Sequence, residues 1–270
     1  MSRGSIGPMT RPSESGHWYA RDGTPVWEVS GAKGQSVTPD IRHARKLGLY
    51  PGVTTIIRQA AAPQLEKWKR DQVMLAALTL PRVEGESNEQ LCARILQDSE
   101  EQARQARDKG TQIHAAIQGH YEGKAPDEEM WPYVQGIVEC IRQNCGERKW
   151  ITERPCVHPL GYGTKSDLHA FGGDRFIDFK GSDFTKAEAG KLKTWDEHAM
   201  QLAATRAALG YENGDCAIVY VSRKEPGLCR LIWIDEADLE RGWEMFQGLH
   251  SYWCAKNNYY PARWQEKEAA

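Results

Sequence analysis

Residues 161–183 read GYGTKSDLHAFGGDRFIDFKGSD, and this stretch decides the fold. Two segments in which polar and apolar residues alternate flank the pair Gly172-Gly173. A two-residue hairpin loop needs positive φ angles, which glycine adopts at little steric cost. The pattern therefore predicts a β-hairpin with Gly172-Gly173 as its loop, closed by Phe171 and Asp174.

The register of this hairpin brings charged side chains together. When Phe171 faces Asp174, the same register sets Asp167 directly opposite Asp178. Successive side chains of a strand point to opposite faces. The side chains expected on one shared face are Lys165, Asp167, His169, Phe176, Asp178 and Lys180. Two carboxylates and a lysine ammonium are thus predicted to converge.

Opposed carboxylates destabilise a strand pair, because their Cβ atoms lie about 4.5–5.5 Å apart. A divalent cation such as Mg²⁺ offsets this repulsion, since it binds carboxylates, carbonyl oxygens and water. Two alternatives stay open at this point. Both aspartates could face solvent, or Asp178 could pair with Lys180.

The bulk properties are those of one globular domain. The chain has 270 residues and a formal net charge of -2, so affinity for nucleic acid must come from local basic patches or bound cations. Its seven cysteines include no CxxC pair, which is typical of reduced thiols rather than a disulfide framework. No apolar run reaches the roughly 20 residues of a membrane helix, and no secretory core is visible. We expect an intracellular, cytoplasmic protein without a membrane partner.

The chain is predicted to form one continuous α/β (α+β) domain with three segments. Residues 1–16 are expected to be a disordered tail, residues 17–122 a hairpin at 17–30 and a helical extension, and residues 123–270 the sheet core. Predicted strands cover residues 150–157, 163–171, 175–180, 215–222 and 228–234. Predicted helices start at Pro63, cover residues 99–123, 127–144 and 195–209, and start again after Asp235.

Capping patterns set the expected starts of three helices. Ser99 with Gln102 forms a capping box, and Thr194 with Glu197 forms another. Asp235 is expected to cap the last helix.

A basic cluster lies on the helix that starts at Pro63. Its members are Lys67, Trp68, Lys69 and Arg70. Such a cluster is either a solvated helix face or a DNA contact that combines phosphate-binding cations with a stacking surface.

The hairpin and an upstream histidine carry a family resemblance. Asp167, followed on the next strand by Asp178-Phe179-Lys180, resembles the signature of PD-(D/E)xK nucleases. The motif Gly110-Thr-Gln-Ile-His114 is similar to that of their RecB-type exonuclease branch, which includes the mitochondrial genome maintenance exonuclease and phage-encoded relatives. The downstream Q-x-x-x-Y motif of that branch appears here with Gln201 and with Thr205 in place of tyrosine.

This resemblance implies a mixed central β-sheet flanked by helices, with an N-terminal helical extension. The implied ligands of Mg²⁺ or Mn²⁺ are His114, Asp167, Asp178 and the backbone carbonyl of Phe179. Lys180 would orient the attacking water, help to deprotonate it or stabilise charge on the phosphate. Gln201 would complete the catalytic group, with an ordinary amide on the helix surface as the alternative.

Three further expectations accompany it. Glu153 is a candidate outer-sphere acid, against the alternative of a surface salt bridge, and Lys165 is a candidate DNA contact. Some members of the branch bind an iron-sulfur cluster through four cysteines, but this chain has only Cys254 near its end, so no cluster is expected.

The function expected from the sequence is metal-dependent deoxyribonuclease activity. The favoured activity is that of an exonuclease that acts on free DNA ends and prefers single strands. We expect it to work in replication, repair or recombination and to be encoded by a bacterium or a phage. A recombination or replication protein is a possible partner. The alternatives are a structure- or sequence-selective endonuclease on the same fold and a catalytically idle DNA-binding or assembly protein.

Overall fold

Ten strands and seven α-helices lie in residues 17–61 and 63–262, which the computed structural model describes. The strands are β1 (Trp18–Tyr19), β2 (Pro25–Val26), β3 (Val29–Ser30), β4 (Ser36–Val37), β5 (Tyr50–Pro51), β6 (Trp150–His158), β7 (Tyr162–Ala170), β8 (Arg175–Ser182), β9 (Asp215–Ser222) and β10 (Cys229–Ile234). The helices are α1 (Ile41–Leu47), α2 (Val53–Ile57), α3 (Pro63–Thr79), α4 (Asn88–Tyr121), α5 (Trp131–Cys145), α6 (Asp196–Ala208) and α7 (Glu236–Asn257). The expected disordered tail, residues 1–16, lies outside these ranges.

The central sheet has the strand order β10-β9-β8-β7-β6. Its neighbours are antiparallel except β8 and β9, which run parallel. A parallel pair needs a crossover connection, and α6 lies in the segment that joins β8 to β9. The predicted fold class, a mixed central sheet flanked by helices, is confirmed.

Helices cover both faces of this sheet. Ile113 of α4 and Ile137 of α5 share one apolar cluster with Leu168 of β7. Leu202 of α6 shares the cluster on the other face with Phe176 of β8. Alternate residues of the central strands therefore bury apolar side chains on opposite faces, each contributing about 1.5–3 kcal/mol when fully buried.

The N-terminal segment docks on β7 through a small antiparallel sheet. Its strand order is β2-β1-β5, and the predicted hairpin is present with Trp18 facing Val26. Gly52 then bridges to Gly163 of β7. A Cβ atom at Gly163 would lie 2.3 Å from the Tyr19 ring, so only glycine allows this approach. The proposed division at residues 122 and 123 stays a prediction.

Helix α4 begins well before the expected start. Ser87 is its N-cap: the Ser87 hydroxyl accepts the Gln90 N–H at 3.3 Å, and the Gln90 side chain accepts the Ser87 N–H at 2.9 Å. Ser99 instead lies buried inside the helix and donates to the Leu96 carbonyl at 2.8 Å. The predicted start at Ser99 is wrong, because a serine inside a helix can satisfy its hydroxyl on the preceding turn.

The starts of α6 and α7 also differ in detail. Trp195, not Thr194, is the N-cap of α6, and the His198 ring accepts the Trp195 N–H at 3.1 Å. Asp235 is the N-cap of α7 as predicted, but its side chain makes no capping hydrogen bond. Its backbone carbonyl accepts the Leu239 N–H at 3.0 Å instead.

The turn between β7 and β8 is displaced by one residue from the predicted position. The Gly173 N–H donates to the Ala170 carbonyl at 2.8 Å, so Phe171 and Gly172 are the central residues of the turn. Gly173 has a φ of 72°, whereas Gly172 does not adopt a positive φ. A Cβ atom at Gly173 would also lie 2.0 Å from the Tyr211 ring. The predicted two-residue loop is wrong, although the strand register is unaffected.

Candidate active site

Strands β7 and β8 pair only beside their turn. Leu168 faces Ile177 and His169 faces Phe176, which is the predicted register. The ladder ends there, so Asp167 and Asp178 follow it without forming a strand pair. We call this opening, where Asp167 follows Leu168 and Asp178 follows Ile177, the β7–β8 split.

The Asp167 carboxylate fills the β7–β8 split. Its Oδ2 atom accepts the backbone N–H of Phe179 at 3.0 Å, and the residue is buried, with 9% of its surface exposed. A side chain thereby takes the place of a ladder carbonyl. The N–H and C=O of one strand residue point to the same side, so the Phe179 carbonyl also faces the split.

Strand β6, which pairs with the other edge of β7, is distorted opposite Asp167. Thr152 faces Leu168 and Arg154 faces Ser166, but the intervening Glu153 makes no ladder pair with Asp167. Glu153 has a φ of 49°, a left-handed conformation that costs about 1–3 kcal/mol for a residue with a side chain. The Glu153 carboxylate forms an ion pair with the Lys165 ammonium.

This distortion changes which face the residues of β7 use. Leu168 packs with α4 and α5, whereas the Thr164 hydroxyl contacts the Thr205 hydroxyl of α6 at 2.9 Å. Thr164 and Leu168 are four residues apart and would share a face in a regular strand, but here they lie on opposite faces of the sheet. The uniform alternation predicted from Lys165 through Asp167 is wrong, because the strand turns where Asp167 enters the split. Lys165 instead lies near Trp27, its Nζ 5.9 Å from the ring centroid.

Asp178, Lys180 and Gln201 form a closed polar group on the α6 side. The Gln201 amide donates to Asp178 Oδ1 at 2.7 Å, and the Lys180 ammonium lies 2.8 Å from Asp178 Oδ2. The same ammonium donates to Gln201 Oε1 at 3.0 Å. Of the alternatives left open above, pairing of Asp178 with Lys180 is observed. Exposure of both aspartates to solvent is not, because Asp178 is only 5% exposed.

His114 reaches the split from the other face of the sheet. It lies on α4, and its Nδ1 atom is 3.7 Å from Asp167 Oδ2. Its ring stands nearly perpendicular to the ring of Phe179, with centroids 5.9 Å apart. The predicted metal ligand His114 and the predicted catalytic residue Gln201 thus approach the same opening from opposite sides.

The donor chemistry of the split fits a hard divalent cation. Two buried carboxylates, an imidazole and a backbone carbonyl are ligand types that Mg²⁺ and Mn²⁺ accept. Asp178 Oδ2 is buried and has the ion pair with Lys180 but no hydrogen bond. No group of three or more His, Cys, Asp or Glu side chains within the described residues is arranged to hold a metal ion. The ligand types that a divalent cation needs are present at the split, but they do not form a preformed coordination sphere.

Two aromatic residues support the site and were not singled out from the sequence. His198 stands edge-on to Tyr220, with ring centroids 6.1 Å apart, and Tyr220 faces Lys180 across the β8–β9 ladder. Burial lowers the pKa of His198 to about 4, and the charge of Lys180 acts in the same direction. Burial raises the pKa of Tyr220 to about 12. The pairing of β8 with β9 is the signal for Tyr220, and the position of His198 three residues before Gln201 on α6 is the signal for the histidine.

The basic cluster of α3 is exposed and partly neutralised within its own helix. Lys69 lies 2.8 Å from Glu66, and Lys67 pairs with Asp71. Trp68 is 38% exposed. Helix α3 packs on α4, the helix that carries His114. These contacts fit a solvated helix face and leave the DNA contact a prediction.

Comparison with known proteins adds only weak similarities. No family model matches the chain, and neither does any curated protein. The alkaline exonuclease LHK-Exo from Laribacter hongkongensis aligns with 14% identity and a TM-score of 0.34 over 76% of this chain and 100% of that one. LHK-Exo in complex with dAMP aligns with 17% identity and a TM-score of 0.32 over 60% and 87%. These similarities are too low to assign a function.

Within residues 17–61 and 63–262, none of the helices combines the length and the apolar character that crossing a bilayer requires.

Proposed function

We propose that this chain is a metal-dependent deoxyribonuclease that hydrolyses phosphodiester bonds. The observation that carries this proposal is the convergence of Asp167, Asp178 and Lys180 at the β7–β8 split. Gln201 and His114 join them from opposite faces of the sheet. Where the Asp167 carboxylate separates β7 from β8, the two strands lose ladder hydrogen bonds. Proteins tolerate such a cost in stability mainly at functional sites, so the opening favours a reaction centre over a purely structural role.

Phosphodiester hydrolysis needs an activated water, neutralised phosphate oxygens and a stabilised leaving oxygen. Lys180 is suited to the first two tasks, because Asp178 and Gln201 fix its ammonium at 2.8 and 3.0 Å. A fixed cation can orient a water or bind a phosphate oxygen without first losing side-chain entropy. Gln201 acts as a positioning residue, since its amide contacts both Asp178 and Lys180.

We propose that His114, Asp167, Asp178 and the Phe179 carbonyl hold Mg²⁺ or Mn²⁺. A bound divalent cation supplies Lewis-acid stabilisation of the charge that develops on the phosphate. We expect Mn²⁺ to support the reaction well, because Mn²⁺ accepts an imidazole ligand more readily than Mg²⁺ does. Calorimetry should find Mn²⁺ binding that is lost in Asp178→Asn and weakened in His114→Ala. Unchanged affinity in His114→Ala would remove His114 from the ligands.

The substrate we propose is DNA with a free end, preferably single-stranded. Helices α3 and α4 precede the sheet, and α4 brings His114 to the split. We propose that a strand threads beneath these helices, with Lys165 and the α3 cluster Lys67, Trp68, Lys69 and Arg70 as contacts. Glu153, held by Lys165, is proposed as an outer-sphere acid. A replication or recombination protein is the proposed kind of partner.

The substrate proposal is tested with end-labelled linear and covalently closed circular single strands of the same sequence, in Mg²⁺ and in EDTA. We expect linear strands to be degraded, circles to persist and EDTA to stop the reaction. Degradation of circles at a comparable rate would replace the exonuclease with an endonuclease on the same fold.

A second candidate is a catalytically idle DNA-binding protein. It is favoured by the pairing of Asp178 with Lys180, which neutralises one carboxylate without any metal. This candidate predicts DNA binding that EDTA leaves unchanged and no loss of labelled DNA in Mg²⁺ or Mn²⁺. Metal-dependent degradation that Asp178→Asn abolishes would exclude it.

A further inference from the structure

We propose that Trp195, with Lys191 and Lys193 before it, binds an unpaired stretch of single-stranded DNA beside the β7–β8 split. We call these three residues the 191–195 surface. This inference rests on the nuclease function proposed above. It names a DNA contact on the α6 side of the sheet, away from the α3 cluster.

The 191–195 surface is fixed to the candidate active site by two hydrogen bonds. The Tyr220 hydroxyl donates to the Lys193 carbonyl at 2.8 Å, and the Trp195 N–H donates to the His198 ring at 3.1 Å. Tyr220 faces Lys180 across the β8–β9 ladder. Both anchoring residues, Tyr220 and His198, are buried, which makes the surface a fixed neighbour of Lys180.

Trp195 presents its ring to solvent. It is 44% exposed, whereas Trp18 and Trp253 are 5% and 4% exposed. Its backbone N–H serves the helix start, but its side chain makes no capping hydrogen bond. An exposed indole beside basic groups is the arrangement that stacks on bases of single-stranded nucleic acid.

The two lysines are available for phosphates. In the described part of the chain, neither Lys191 nor Lys193 lies within ion-pair distance of a carboxylate, unlike two lysines of the α3 cluster. The Asp196 carboxylate that follows them lies 3.3 Å from Arg241. The Glu188 carboxylate before them accepts the Thr185 N–H at 2.9 Å, and the charge of Lys191 acts on it from beyond ion-pair distance. Cations outside ion pairs can exchange their counterions for phosphate, so they contribute more affinity than paired ones do.

An unpaired strand fits this surface better than a duplex does. Stacking needs a base with a free face, and the bases of a duplex already stack on one another. A strand bound here would place successive phosphates on Lys193 and Lys191 while a neighbouring phosphate reaches Lys180. The surface would therefore hold the substrate strand in register for cleavage.

The test measures the Kd of a fluorescein-labelled oligothymidylate by anisotropy in EDTA, using Asp178→Asn protein so that no cleavage occurs. Adding Trp195→Ala should weaken binding by about fivefold to a hundredfold, and Trp195→Phe should retain most of it. Trp131→Ala is the matched control, because Trp131 also begins a helix and is 45% exposed, but on the opposite side of the sheet. It should bind normally.

Salt dependence separates stacking from charge. Lys191→Ala and Lys193→Ala should each reduce the slope of log K against log salt by about 1, while Trp195→Ala should leave that slope unchanged. Binding by Asp178→Asn protein that Trp195→Ala does not weaken would overturn the 191–195 surface and spare the nuclease. Absence of both oligothymidylate binding and DNA cleavage in the unmodified chain would overturn both proposals.

Discussion

The two edges of strand β8 differ in a way that separates scaffold from chemistry. On one edge β8 pairs with β9 along its whole length, from Arg175 to Ser182. On the other edge it pairs with β7 only at Ile177 and Phe176. The first edge buries Ile218, which faces Asp178 across the ladder. The second edge opens at the residues expected to act on a phosphate.

The open edge exchanges ladder hydrogen bonds for contacts with charged side chains. The Phe179 N–H donates to the Asp167 carboxylate, and such charge-assisted hydrogen bonds are about twice as strong as those between neutral groups. The charge of Asp178 is balanced by the Lys180 ammonium, and its Oδ1 atom accepts a hydrogen bond from the Gln201 amide. Burying two carboxylates would otherwise cost several kcal/mol each. The opening is thus stable because every charge in it has a protein partner.

The largest effect should come from Lys180→Ala at the open edge. We expect cleavage of labelled DNA to fall by about a hundredfold to ten-thousandfold, because the cation held by Asp178 is lost. Initial rates under saturating Mg²⁺ measure this, with the unfolding midpoint as the check that the chain still folds. A folded variant with nearly the original rate would remove Lys180 from the reaction.

The closed edge should govern stability instead. Ile218→Ala removes a fully buried side chain that faces Asp178, so we expect the free energy of unfolding to drop by about 2–5 kcal/mol. Cleavage per folded molecule should stay close to that of the original chain. Denaturant titration and rate measurement on one preparation test both statements. A large rate loss with unchanged stability would reverse the roles of the two edges.

The turn that joins β7 and β8 offers a matched pair of smaller changes. Gly173→Ala should destabilise the chain by about 1–3 kcal/mol, because its φ is 72° and the new Cβ would meet the Tyr211 ring. Gly172→Ala should cost much less, since the nearest atom would be Asp174 Oδ1 at 3.9 Å. Equal unfolding midpoints for the two variants would contradict the observed turn.

A further prediction concerns acid and His250, a buried histidine of α7. Burial lowers the pKa of His250 to about 4, and the neighbouring His158 acts in the same direction. The neutral ring is therefore favoured on folding, and its stabilisation, complete above about pH 6.5, is lost as the pH falls towards 4. His250 also faces Tyr162 and Cys254. His250→Phe should flatten the fall of the unfolding midpoint between these pH values, and an unchanged slope would contradict this.

Much of the fold followed from the sequence because local rules and burial agree there. The five strands of the central sheet were predicted from their alternating patterns, and the hairpin register was predicted from the Gly172-Gly173 pair. The shared face of Phe176, Asp178 and Lys180 was also correct. The start of α4 was not, because Ser87 and Ser99 carry the same capping pattern and only packing distinguishes them.

The sequence indicated which side chains converge at the β7–β8 split but not the shape of the opening, and the roles of these residues stay predictions. His114 approaches Asp167 and Gln201 binds Asp178, as the resemblance to PD-(D/E)xK nucleases suggested. The opening of the ladder at Asp167 and the left-handed Glu153 have no local sequence signal, because both depend on three strands at once. For the same reason the local sequence does not indicate the 191–195 surface, since Tyr220 anchors it from a strand farther along the chain.

The most direct test of the open edge is the cleavage rate of end-labelled linear single-stranded DNA in Mg²⁺, compared between the original chain and Asp178→Asn. The substituted amide would keep the size of the side chain and an oxygen for the Gln201 amide, so the fold should persist while the negative charge is lost. We predict cleavage that EDTA stops and a loss of orders of magnitude in the folded variant. An equal rate for both proteins would contradict the assignment of the β7–β8 split as the reaction centre.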